Sequence, residues 1–469
     1  MIRNAMGRVV RRGALSLALA LAPAATLAET LADALAAAYT HSGLLHQNRA
    51  LLRAADEDVA VAVAALRPIV SWTSSFSRDF GYSYSGTTGL GTGFQDDSAS
   101  FSVVAELLLY DFGATRLQID AAKEAVLATR EGLLVIEQQV LLRAVVAYVS
   151  VRSASETVSL RQNNLRLVEQ ELRAARDRFE VGEVTRTDVS LAEARLAASR
   201  ANLAAAEGDL LRAIEEYRAA VGEGPDNLAA VTRLPDVERN ETAAKAIAMR
   251  SHPAMRRAQY EVSTADLNRR RAELAIKPQV SLSGRLTRSS DFNGGDYSNT
   301  GSVSLDFGGP IYRGGALSAL ERQAKARADA ARGNLHVTQH AVAQDVGTAL
   351  ATLRVANASI EATDRQIRAA RVAFQGVREE ATLGQRTTLD VLTAEQDLLD
   401  AEVAYTAAVA DRTIAAYQLL SAMGLMTAKH LGLNVQLYDP AEYYRLIKNA
   451  PVKSLQGDKL DRVLRRIGD

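Results

Sequence analysis

Nine prolines punctuate the 469-residue chain, at positions 23, 68, 225, 235, 253, 278, 310, 440 and 451. None lies between Pro68 and Pro225, and none between Pro310 and Pro440. Proline removes a backbone donor and clashes with the preceding helical turn, so these gaps are where the chain can run as unbroken helix. Ala114 to Phe179 spans 66 positions, roughly 100 Å if helical at about 1.5 Å per residue. Ala, Leu, Arg, Glu and Gln, all strong helix formers, dominate there. Leu165, Val168, Leu172, Ala175 and Phe179 step alternately by three and four, the coiled-coil spacing. After a break at Gly182, the residues Leu196, Ser199, Leu203, Ala206, Leu210, Ala213, Tyr217 and Ala220 keep the same steps. Helices of ordinary globules run about 8–20 residues. The pattern therefore predicts extended rods or tubes.

Composition narrows the function. Hydrophobic residues reach 48%, enough for a core, while aromatics are only 5%, which favours helices over an all-β sandwich. Lys+Arg and Asp+Glu are both 55, and this excludes a globally basic nucleic-acid binder. The chain has no Cys, which excludes disulfides, thiol catalysis, Cys-ligated metal and a lipidated N-terminal Cys.

Residues 1–28 read as a secretory signal peptide. Arg3, Arg8, Arg11 and Arg12 precede the apolar run Ala14–Leu21, and Thr26-Leu27-Ala28 ends in a small residue suited to cleavage. Beyond residue 28 no run of about 20 apolar residues is expected to cross a membrane as a helix. An exported chain of this kind is soluble, secreted or a membrane β-barrel.

Two segments alternate with period two. In Ser71–Ser77, Trp72, Ser74 and Phe76 share one strand face. In Ser100–Leu107, Phe101, Val103, Ala105 and Leu107 lie opposite Ser102, Val104 and Glu106. These predict a hairpin over about 69–110 with a long polar loop from Asp79 to Ser98. A second hairpin is predicted at about 279–307, with its loop over Ser289–Tyr297. One apolar and one polar face suit a membrane barrel wall, and equally a soluble hairpin packed on helices. Four strands cannot close a barrel, which needs about eight. A spanning barrel must therefore come from several chains, and three would give twelve strands and an open lumen.

The chain is internally duplicated. Gly182-Glu183-Val184-Thr185-Arg186-Thr187-Asp188-Val189-Ser190-Leu191-Ala192-Glu193 recurs as Gly384-Gln385-Arg386-Thr387-Thr388-Leu389-Asp390-Val391-Leu392-Thr393-Ala394-Glu395, an offset of 202 that holds to Gly222 and Gly424. Leu109-Tyr110-Asp111-Phe112-Gly113-Ala114 matches Ile311-Tyr312-Arg313-Gly314-Gly315-Ala316 at the same offset. Arg67-Pro68 and Lys277-Pro278 repeat at an offset of 210. The expected layout is a first repeat at 29–222, with an N-terminal helix, a hairpin and a helix tip at 182–188. A Pro/Gly-punctuated linker at 223–252 follows. Then come a second repeat at 253–424, with its tip at 384–390, and a C-terminal periplasmic tail at 425–469, charged and without clear periodicity from Ala441 on.

This organisation resembles the TolC family of outer-membrane efflux proteins. The resemblance rests on the signal peptide, Thr30-Leu31-Ala32-Asp33-Ala34-Leu35, both strand-to-helix turns and the paired Gly-x5-Asp-Val tips followed by Ala-Glu. The run Ala422–Leu433 and Leu437-Tyr438-Asp439-Pro440 are most like the branch serving type I secretion. The resemblance implies a mainly α fold with a β-barrel portion. Long antiparallel coiled-coil helices would form a trimeric α-barrel, continued by a 12-stranded transmembrane β-barrel. It implies a homotrimer in outer-membrane lipid, docked with a periplasmic adaptor and an inner-membrane ABC or RND transporter. The alternative is a soluble periplasmic coiled-coil scaffold or adaptor, although an adaptor usually carries one helical hairpin rather than an even pair.

By the same resemblance, Asp390 matches a residue lining the periplasmic constriction, with Thr393 one turn later where relatives carry a second Asp. Asp188 holds the equivalent place in the first half, so Asp390 is either a ring carboxylate or a helix-terminal one favoured by the macrodipole. Arg386 matches a latch residue contacting the neighbouring tip, whose partner region is Thr187 and Asp188. The Tyr that often assists the latch is Ala381 here. Gly182 and Gly384 make the turns, and the tips around Thr185, Thr187, Thr387 and Thr388 are the expected adaptor-docking surface.

No catalytic, cofactor or metal constellation is found. His336 and His340 are spaced i, i+4 but lack the His-Glu-x-x-His pattern of a metal site, and read as a surface pair. The stretch Gly308–Gly315 contains Pro310 and lacks the Gly-Lys-Ser/Thr end of a phosphate loop.

Overall fold

The structure is a computed structural model that describes residues 28–292 and 296–448. The signal peptide expected at 1–28 lies almost wholly outside the described residues, as does the tail beyond residue 448.

Each half is built from the same parts in the same order. In the first half, α1 (Leu31–His41) and α2 (Gly43–Ala64) lead to β1 (Ile69–Ser85) and β2 (Leu90–Tyr110), then α3 (Ala114–Glu180) and α4 (Arg186–Val221). In the second, α5 (Glu241–Ser251) and α6 (Pro253–Glu273) lead to β3 (Gln279–Asp291) and β4 (Tyr297–Gly308), then α7 (Ala316–Thr382) and α8 (Thr388–Ala422). A short α9 (Pro440–Ile447) follows. The proline gaps are filled as expected, by two helices of 67 residues each. The predicted seam also holds: Val168, Leu172, Ala175, Ser199, Ala206, Tyr217 and Ala220 are buried. Phe179, at the last turn before the tip, is exposed.

The linker differs from its expected form. Its last third is α5, capped by Asn240, whose side chain accepts from the Ala243 N–H at 3.1 Å. Structurally α5 and α6 repeat α1 and α2 at the offset of 210, so the second unit starts at Glu241. The periodicity of an 11-residue helix between Pro235 and Pro253 is too short to stand out. An apolar 18-residue window in α3 also corrects the expectation that no such stretch follows the signal. Just over half of that window is buried in the chain's own core, so it is a core helix.

That core sits midway along the rods. Leu35, Leu52, Val59, Leu141, Val145, Tyr148, Tyr217, Val346 and Leu420 form one cluster with Met423 and Met426. The Tyr148 hydroxyl shares its one proton between the Ala229 carbonyl at 2.7 Å and the Glu29 carbonyl at 2.9 Å. It ties the segment before α1 and the linker to α3, in line with the rule that buried hydroxyls find partners. Part of the tail is also fixed, because Met426, Ala428 and Ile447 are buried and the Ala428 N–H donates to Glu137 at 2.7 Å.

The four strands make one antiparallel sheet in the order β1-β2-β3-β4, with outer edges that have no partner strand among the described residues. The expected Asp79–Ser98 loop is mostly strand: β1 runs on to Ser85 and pairs with Leu90. Phe80, Tyr82 and Tyr84 alternate with small residues there, a period of two hidden within loop-like composition. The second hairpin's strands likewise reach Asp291 and resume at Tyr297.

Register sorts the faces. Trp72 pairs with Val103, which pairs with Leu286; Ser74 pairs with Phe101; and Val303 and Leu305 lie opposite Gly284 and Leu282. Trp72 stacks on Phe101 with centroids 6.1 Å apart. The other face is a ladder of hydroxyls: Ser75–Ser100 at 2.8 Å, Ser77–Ser98 at 2.9 Å, Ser102–Thr287 at 2.9 Å and Ser289–Ser298 at 2.8 Å. The apolar face is exposed, with Trp72 at 69% and Val303 at 81%, and on the outer strands β1 and β4 the hydroxyl face is open as well. No helix covers it, contrary to what a soluble hairpin packed on helices requires.

Candidate functional site

The rods end at two tips, α3 to α4 and α7 to α8. Gly182 and Gly384 sit at φ +77° and +75°, a region closed to most side chains, and reverse the chain. Each following helix opens with the same reciprocal cap. Thr185 accepts from the Asp188 N–H at 3.3 Å, and Asp188 accepts from the Thr185 N–H at 2.9 Å and its hydroxyl at 2.8 Å. Thr387 and Asp390 repeat this. Such caps are worth about 1 kcal/mol each. The Thr387 N–H and then its hydroxyl hold the Asp390 carboxyl below the usual range, and Thr185 does the same for Asp188. Within one chain, then, Asp390 is a helix-terminal carboxylate, partly exposed at the tip.

A groove of about 1040 Å³ runs between the two tips. It brings together Thr185 and Asp188 of the first tip with Gly384, Arg386, Thr387 and Asp390 of the second. Gly182, Thr187 and Thr393 lie outside it. Thr393 is exposed and its hydroxyl donates to the Leu389 carbonyl at 2.8 Å. Arg386 donates to Glu380 at 2.8 Å, so inside the chain its partner is Glu380 and not Thr187 or Asp188. Thr388 departs from the expected exposed docking surface. It is 3% exposed, with its hydroxyl buried and unpartnered, whereas its counterpart Arg186 is exposed. Ala381, at the position of the missing Tyr, is also buried.

The sequence reading did not single out Arg178 and Arg378, which line the groove beside the carboxylates. Glu395, five residues into α8 from Asp390, was read only as part of the repeat. His336 and His340 are exposed, and no cluster of three or more His, Cys, Asp or Glu suited to a metal occurs among the described residues.

Residues 34–223 and 246–425 match the family model described as outer membrane efflux protein, once in each half. The chain belongs to the outer membrane efflux protein family. It is 37% identical to outer membrane efflux protein BepC of Brucella suis biovar 1, over 88% of this chain and 89% of that one. It is 25% identical to the alkaline protease secretion protein AprF of Pseudomonas aeruginosa, over 73% of each chain. The fold matches the Campylobacter jejuni CmeC outer membrane channel with a TM-score of 0.76, at 16% identity, over 91% of this chain and 90% of that one. The resemblance drawn from the tips and turns is thus borne out. The protein is an outer-membrane channel subunit with a periplasmic helical extension, and the soluble scaffold alternative is set aside.

Proposed function

We propose that three copies of this outer membrane efflux protein close into a 12-stranded barrel and a 12-helix tunnel. The single observation that carries this reading is the sheet: four strands, two open edges, a bare apolar face and a hydroxyl-lined one. Four strands are too few to close a barrel, while twelve leave a lumen. Pairing β4 of one copy with β1 of the next satisfies both edges. Mass measurement in detergent tests the reading. Three copies are expected, and a stable folded monomer overturns it.

The tunnel receives cargo from an inner-membrane ABC or RND transporter through a periplasmic adaptor that docks on the tips around Gly182, Thr185, Gly384 and Thr387. The likeness to a protease secretion protein supports the type I secretion branch, with an ABC transporter and a protein cargo. In the trimer, three Asp390 carboxylates with Thr393 narrow the closed end, and Arg386 restrains it. Crosslinking in native membranes from single Cys residues placed at the tips, followed by identification of the captured protein, tests the docking.

A further inference from the structure

Below the tips, the two hairpins of one chain meet through a buried polar group. Glu395 on α8 is 4% exposed. Its Oε1 accepts from the Asn164 side-chain amide on α3 at 2.7 Å, and the Asn164 carbonyl oxygen accepts from the Ser199 hydroxyl on α4 at 2.9 Å. Asn164 and Ser199 are themselves 6% and 5% exposed. The other carboxyl oxygen of Glu395, Oε2, is buried without a hydrogen-bond partner. Nearby, Leu392 of α8 closes a small apolar cluster with Val168 and Leu172 of α3 and Ala192 of α4. The duplication supplies a control: Glu193, at the equivalent place in the first half, is exposed and paired with Arg176 at 2.6 Å. Only the copy that joins the two hairpins is buried.

We propose that Glu395 is a proton-operated lock between the hairpins: uncharged, it holds α8 against α3 and α4, and ionised, it releases them and loosens the tip. The argument is one of solvation. A carboxylate with one bonded oxygen and one orphaned oxygen is costly to bury, whereas the neutral acid is tolerated. Burial pushes the Glu395 carboxyl up to about 7, against the Asn164 hydrogen bond, which lowers it. Glu171 on α3 pushes it further up and Arg378 on α7 pulls it down. Arg195 and Asn202 on α4 and Gln396 on α8 line a cavity of about 260 Å³ beside Asn164 and Ser199. Asp188 and Asp390 are held low by their caps and stay ionised around neutrality.

The sign follows. The packed state keeps its proton to a higher pH than the open state, so the lock is strongest at acid pH and weakens as pH rises through about 7. If an opened Glu395 titrates in the ordinary carboxylate range, local opening becomes about tenfold easier between pH 6 and pH 8.5.

The test is amide hydrogen exchange of the trimer in detergent, corrected for intrinsic rates, at those two pH values. Peptides covering 388–400 and 160–172 should lose about tenfold in protection at the higher pH. In Glu395→Gln, a neutral isostere, protection should already exceed the wild type at pH 6, where an opened Glu395 is ionised, and stay unchanged at pH 8.5. Asn164→Leu removes the bond that favours the ionised form, and should move the transition to higher pH. Equal pH responses in wild type and Glu395→Gln, or a downward shift in Asn164→Leu, would overturn the proposal. Its consequence for conduction rests on the tips being the constriction, so single-channel conductance is recorded in parallel. An exchange response with flat conductance overturns the tip as constriction and leaves the lock standing.

Discussion

Thr387 and Asp390 cap each other: the hydroxyl of one accepts the backbone N–H of the other at 3.2 Å, and the carboxylate returns two bonds of 2.9 Å. The carboxylate thus serves two ends at once, closing α8 and presenting charge to the tip. Asn at this position keeps the acceptor and removes the charge, so Asp390→Asn separates the roles. We expect a trimer of unchanged thermal stability, with weaker block by multivalent cations in planar bilayers, an effect that salt screens. Asp188→Asn is the internal comparison. Cation block unchanged in Asp390→Asn and lost in Asp188→Asn would transfer the ring to the first tip.

Arg386 and Glu380 bridge the second tip at 2.8 Å, each about half exposed. An exposed pair of this kind adds little to stability, so folding does not depend on it. Arg386→Ser is expected to raise conductance if the guanidinium restrains a neighbouring tip. Glu380→Gln separates two routes. If Arg386 acts while paired with Glu380, the two variants raise conductance alike. If it acts on the adjacent tip directly, Glu380→Gln frees the guanidinium and lowers conductance.

The absence of cysteine makes the barrel face simple to test, because any introduced thiol is the only one. Spin labels at Trp72, Phe76, Phe101 and Val103 should report lipid, and labels at Ser75 and Ser102 should report water. Trp72, Phe76, Phe101 and Val103 share one face by register, while Ser75 and Ser102 stand in the hydroxyl ladder. A reversed pattern would mean that the sheet curls the other way round its lumen.

The long helices, the strand faces and the tips were legible because each rests on periodicity: steps of three and four, alternation by two, and a repeat offset of 202. What periodicity does not carry was missed. The far end of the first hairpin, Asp79–Ser98, reads as loop because small residues dominate it, although Phe80, Tyr82 and Tyr84 keep the alternation. Glu193 and Glu395 are identical letters at matching positions, yet one is exposed and the other buried. Their difference is set by the Asn164 on α3 that meets only Glu395, 231 residues away. Thr388 and Arg186 show the same limit in reverse, since a repeat aligns backbones and not their neighbours.

The last expectation concerns a buried carboxyl midway along α2. Asp56 is fully buried and lies 3.6 Å from Arg130 of α3, with neither carboxyl oxygen hydrogen-bonded. Arg130 in turn sits 5.2 Å from the Tyr444 ring centroid, under α9. Burial raises the Asp56 carboxyl to about 6, and Arg130 partly offsets this. A folded-state value above the ordinary 3.8 means that the native chain holds the proton longer than the unfolded one. The contribution of Asp56 is therefore fully present below about pH 3.8 and is lost as pH rises to about 6. Two units correspond to about 3 kcal/mol. Asp56→Asn removes that loss, and thermal melts of the trimer should show it at least as stable as wild type at pH 7, with a flatter profile between pH 4 and 6. Arg130→Ala leaves the buried carboxyl without its counter-charge and should cost about 3 kcal/mol at pH 7, less at pH 4, where Asp56 is neutral. A penalty that stays constant across that range would assign the role of Arg130 to its packing against Tyr444 instead of to its charge.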